Sequence, residues 1–232
     1  STQGANAVAI GTTAGGSTQG DSSVAIGQTA GQTNQCPSSV AIGIEAGAST
    51  QGGSAVAIGA SAGKIQQGVY TVAIGYGAGN STQGSSAIAI GLNSGQTNQQ
   101  DYAIAIGTSA GNSTQGNSAI AMGLNAGQNL QVTYSIALGV NSGQNTQGDL
   151  TLALGSSAGQ TKQGANAVAI GPSAGASTQG ISSIAIGLYA GRTLQGTNSI
   201  AIGEYAGSTT QGNYSVAIGT NTGLVLQGLS AV

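Results

Sequence analysis

Ser17–Gln32 reads S-T-Q-G-D-S-S-V-A-I-G-Q-T-A-G-Q, and the stretches on either side repeat it with small changes. Ser1–Gly16 gives S-T-Q-G-A-N-A-V-A-I-G-T-T-A-G-G, and far downstream Thr209–Leu224 gives T-T-Q-G-N-Y-S-V-A-I-G-T-N-T-G-L. Fourteen such sixteen-residue units run without insertion or deletion to Leu224, and half a unit, Val225–Val232, follows. A short fixed period with no indels marks a solenoid, in which each unit stacks on the last and none folds alone. The expectation is an all-β chain: a parallel β-solenoid (β-roll) of about 14.5 coils, sixteen residues each, forming one domain over 1–232 with no evident caps.

Number the unit from one to sixteen. Position eight is always Val, Ile or Leu, ten is Ile, Leu or Met, and nine is Ala in all fourteen complete units. Large and small residues alternating over four positions describe a short strand with two unlike faces. With eight and ten assigned to the interior, the alanines of position nine form a smooth outward stripe, suited to close packing on another chain. Gly is invariant at eleven and fifteen of complete units, and stands at four except for Cys36, Gln100 and Val132. Recurrent Gly marks corners that need positive φ or close backbone approach. Small residues at fourteen are expected to point inward.

Position three is Gln in every unit: Gln3, Gln19, Gln35, Gln51, Gln67, Gln83, Gln99, Gln115, Gln131, Gln147, Gln163, Gln179, Gln195, Gln211 and Gln227. A solvent-facing Gln would drift, as position two does (Asn34, Gln66, Leu130, Lys162). An inward Gln can hydrogen-bond its counterpart one coil away, forming a structural amide ladder. Positions five, six, twelve, thirteen and sixteen vary and are read as outward. They hold all seven tyrosines, among which Tyr189 and Tyr205 fall on adjacent coils and form a candidate surface-recognition pair.

Composition narrows the chemistry. There are 43 Gly, 2 Pro, one Cys and no His, Phe or Trp, with 39% hydrophobic residues. Gly is not at every third position, so a collagen helix is excluded, and the phased Val and Ile oppose low-complexity disorder. Lys64, Lys162 and Arg192 are too few and scattered for a nucleic-acid stripe. Apolar runs of four residues predict no membrane insertion. Asp21, Asp101 and Asp149 share position five but on non-adjacent coils, and lone Cys36 has no metal partner, so neither a metal nor a cofactor site is expected. Without His or paired carboxylates, no catalytic residues emerge and an enzyme is not expected. Sequons begin at Asn80, Asn112 and Asn213.

The phrase S-V-A-I-G at Ser23–Gly27, Ser39–Gly43 and Ser215–Gly219 resembles the head repeats of YadA-like trimeric autotransporter adhesins. The A-I-G-x-x-A-G-x-x-x-Q-G spacing of Ala9–Gly20 and Ala169–Gly180 resembles tail-fibre repeats of phages and large DNA viruses. The resemblance implies a left-handed parallel β-roll, three chains side by side, and attachment to surfaces. The longer unit and the invariant Gln are this chain's own. The reading is thus a self-associating fibre or spike shaft, as a homotrimer or end-to-end filament, extracellular on a cell or virion surface. The alternative is an adhesin head binding a host-surface glycan or receptor through outward Tyr, Asn and Gln. Ice binding is a third class, opposed by Ile65, Leu130, Lys162 and Leu194 interrupting the Ser/Thr rows.

Overall fold

The computed structural model describes residues 2–232; Ser1, the first position of the first unit, lies outside them. Two compact units are present, 1–118 and 119–232. Each is a parallel β-solenoid with one coil per sixteen residues, and no helix occurs among the described residues. Every coil contributes a three-residue strand at positions eight to ten, in register with the same positions one coil on. In the first unit Val8, Ala9 and Ile10 pair with Val24, Ala25 and Ile26. In the second, Ile120, Ala121 and Met122 pair with Ile136, Ala137 and Leu138. A two-residue strand at positions two and three builds the other wall, as in Thr50–Gln51 on Gln66–Gln67 and Thr146–Gln147 on Lys162–Gln163.

The walls are joined by two four-residue turns. Ala7 N–H bonds Gly4 O at 3.3 Å, and Ala14 N–H bonds Gly11 O at 3.2 Å. The third residue of each turn has positive φ, for example Ser22 at 55° and Thr29 at 56°. Positive φ at that place alone is the pattern of a type II turn, which favours proline at the second place. Both prolines of the chain, Pro37 and Pro172, stand there. Positions six and thirteen are therefore left-handed corners in every coil, a constraint hidden in the sequence by their tolerance of Ser, Asn, Thr and Tyr.

The faces of the three-residue strand are the reverse of the sequence expectation. Ala25, Ala41, Ala57, Ala137 and Ala185, all at position nine, are fully buried. The Val, Ile, Leu and Met side chains of positions eight and ten are only half-buried or exposed, for example 58% for Ile10 and 41% for Met122. The reason is the narrowness of the coil. Every buried hydrophobic residue among those described is an alanine, and the remaining interior is taken by Ser, Thr and the position-three Gln. Opposite walls this close have no room for a β-branched chain, and a strand's period of two then sends both neighbours of the inward Ala outside. Position fourteen does point inward, as Ala30, Ala62 and Ala190 show.

Two glycines are required by geometry. At position eleven φ lies near 125°, and a Cβ on Gly139 would sit 2.8 Å from the backbone of Gly155. At fifteen, Gly143 has φ 49°, and a Cβ there would meet Gln147 Oε1 at 2.7 Å. Position four lacks the positive φ, and although a Cβ on Gly196 would sit 2.5 Å from the Gly212 backbone, three coils do without Gly there. In two of the three coils without Gly there, position two is a left-handed Asn, Asn34 beside Cys36 and Asn98 beside Gln100, each with φ 53°. The two-residue strand is reduced to single bridges at Gln35 and Gln99. Val132 keeps the regular strand Leu130–Gln131, and nothing in the structure explains the difference.

Candidate interaction surfaces

The glutamines of position three lie between the walls. Gln19 to Gln211 are buried, Gln3 is exposed and Gln227 is intermediate. The most regular partner of each amide is not the next glutamine but the opposite wall. Gln19 Nε2 donates to Val8 O at 2.7 Å, Gln99 to Ile88 O at 2.7 Å and Gln147 to Ile136 O at 2.7 Å. Many amides also reach their own coil's position-seven carbonyl, as Gln131 to Ser135 O at 3.1 Å. Bonds between glutamines supplement these, as Gln83 to Gln99 Oε1 and Gln99 to Gln115 Oε1, both 3.1 Å. Eight buried Oε1 atoms, including those of Gln179 and Gln195, accept no conventional bond. They sit where the glycine of position fifteen would carry its Cβ, so the Gly leaves the space into which the amide fits. Buried hydroxyls are satisfied locally: Ser215 Oγ donates to Gly212 O at 2.6 Å.

The second surface is apolar. On the outside of the three-residue strands, two rows of Val, Ile, Leu and Met climb each unit in strict register. Within the second unit they include Ile136 and Leu138, Leu152 and Leu154, and Ile200 and Ile202. Aligned coil on coil, they make a continuous half-exposed apolar stripe along each unit. Sequence reasoning found the right strand and assigned the wrong face; the signal that would have found it is the invariance of Ala, the smallest residue able to fill a tight interior.

The third surface is the set of turns. Tyr189 and Tyr205 are stacked, with centroids 5.0 Å apart and planes at 29°, and the Arg192 guanidinium lies 4.8 Å from the Tyr189 ring. Six of the seven tyrosines, including these two, occupy left-handed corners with φ between 56° and 59°. That conformation costs a residue with a Cβ roughly 1–2 kcal/mol. Elsewhere on the turns, Glu45 binds Lys64 at 2.8 Å and accepts a bond from Ser61 Oγ at 3.1 Å. The Lys64 bond, then that of Ser61, holds the Glu45 carboxyl below its ordinary range. The sequon amides are engaged: Asn80 and Asn112 Nδ2 donate to Ser61 O and Asn93 O, and Asn213 Oδ1 accepts from Thr197 N–H.

No cluster of three His, Cys, Asp or Glu occurs among the described residues, and no helix is long and apolar enough to cross a membrane. The fold and its surfaces define a repetitive β-solenoid whose regular features are a tight interior and an apolar outer wall. The family model of the YadA head domain repeat matches two copies, at residues 163–190 and 195–222. These residues carry YadA-like head repeats. Among curated proteins none matches the chain.

Proposed function

We propose that this chain is a structural module of a surface fibre or spike, assembled as a homotrimer through the outer Val/Ile wall and displayed outside a cell or virion. The observation that carries this is the inversion of the strand. Rows of half-exposed Val and Ile, fixed in register by the backbone ladder, offer a preformed apolar face whose burial against other copies of the chain would favour assembly. The YadA-like repeats at 163–222 support an adhesin- or fibre-type role, and no group of side chains suited to catalysis accompanies them. Sedimentation equilibrium tests the reading. The wild-type chain is expected to be trimeric, and Ile136→Lys with Ile200→Lys to yield a β-structured monomer; a monomeric wild type, or an end-to-end filament unaffected by both changes, overturns the trimer.

A second reading, recognition of a host-surface glycan or receptor, is favoured by the stacked pair Tyr189 and Tyr205 with Arg192 against the Tyr189 ring, since aromatic side chains with a polar tip are enriched at contact surfaces. Loss of glycan-array binding in Tyr189→Ala/Tyr205→Ala supports it; retention assigns the pair to ladder packing.

A further inference from the structure

Regularity of the two-residue wall fails at Asn98, and a depression of about 530 Å³ lies over the same coils. In a regular coil the position-two N–H bonds the position-one carbonyl one coil on, as Thr50 to Ile65 and Gln66 to Ser81, both 2.9 Å. The left-handed Asn98 turns that peptide, and no equivalent bond joins Thr82 to Thr97. Backbone groups released from a ladder need other partners. Around them stand side chains from three successive coils: Thr82, then Asn98, Gln100 and Asp101, then Thr114 and Asn117. Asp101 is fixed by its Oδ1, which accepts the Ser85 N–H at 2.7 Å.

We propose that this depression is a binding subsite for one neutral sugar residue. The proposal rests on the recognition reading and is independent of the trimer. The lining alternates acceptors (the Asp101 carboxylate, amide oxygens) with donors (amide N–H, threonine O–H, backbone N–H), and a sugar hydroxyl is both donor and acceptor. Three coils at about 4.8 Å spacing reach over about 10 Å, room for one pyranose ring together with its hydroxyls. No cation lines the depression while a carboxylate does, so sialylated and sulfated sugars are disfavoured. The depression lies on the wall opposite the Val/Ile rows, and assembly through those rows leaves it open.

Two substitutions test it while keeping the coil. Asp101→Asn retains the backbone bond, because Asn213 Oδ1 makes the same contact to Thr197 N–H at 2.8 Å. Asn98→Gly retains the positive φ and removes the amide. A panel of neutral oligosaccharides ending in hexose, N-acetylhexosamine or deoxyhexose is titrated by NMR or calorimetry against the full chain, with sialylated and sulfated arms alongside. Binding of a neutral arm that each variant weakens about tenfold or more is the expected result. No neutral binding at millimolar concentration, equal binding in both variants, or preference for an anionic arm overturns the subsite. Sedimentation of the same samples reports separately on assembly.

Discussion

The two walls of each coil obey the same rule inside and opposite rules outside. Inward, the three-residue wall offers only Ala and the two-residue wall only Gln, and both are buried in coil after coil. Outward, the first wall is uniformly Val, Ile, Leu or Met, while the second ranges over Thr, Asn, Gln, Lys and Leu at position two. A uniform interior is demanded by stacking alone. A uniform apolar exterior is not, since water would accept the polar residues tolerated on the other wall, and this asymmetry separates a constrained apolar face from a variable one.

Breaking the interior should have the largest effect. Gly139→Ala puts a Cβ against the Gly155 backbone at φ 126°, and strain and overpacking of about 1–3 kcal/mol each are expected to add, seen as a lowered urea midpoint with lost strand signal. Gln147→Ala leaves the Ile136 carbonyl without its amide, an expected loss of about 1–3 kcal/mol before any cavity is counted. Ala137→Val, conservative in chemistry, overfills the interior and should cost about 1–3 kcal/mol. One residue away, Ile136→Val trims an outward chain and should change the stability of the coil by less than about 1 kcal/mol. If Ala137→Val proved as mild as Ile136→Val, the assignment of faces would be wrong. The smallest effect belongs to the turns. Glu45 has a lowered folded pKa, so its contribution is present above the unfolded carboxyl value and fades as pH falls through the folded one. Lys64→Met should weaken that acid-side dependence, leaving the Ser61 bond as its remaining source, detected by comparing thermal midpoints from neutral to acid pH.

Period, coil number, strand position and the buried Gln were all legible, because each is a repeated choice and repetition exposes constraint without any structure. The left-handed corners at six and thirteen were not. Their constraint is on φ, which Ser, Asn, Thr and Tyr satisfy at modest cost, so the residue type varies while the conformation does not; Pro37 and Pro172 were the faint clue. The notch at Asn98 was equally hidden, since an Asn in place of Thr at position two looks like surface drift.

The sequence by itself determined that this chain is a sixteen-residue parallel solenoid, because only stacking of identical coils imposes so strict a period on Gly, Gln and Ala. Which face of the strand is interior was decided only by the tertiary structure. Alternation says that Ala and Val/Ile lie on opposite sides and is silent on which side is which. The distance between the walls settles it: a space filled by an alanine on one side and a glutamine amide on the other excludes the larger residues and leaves them outside, available to another chain.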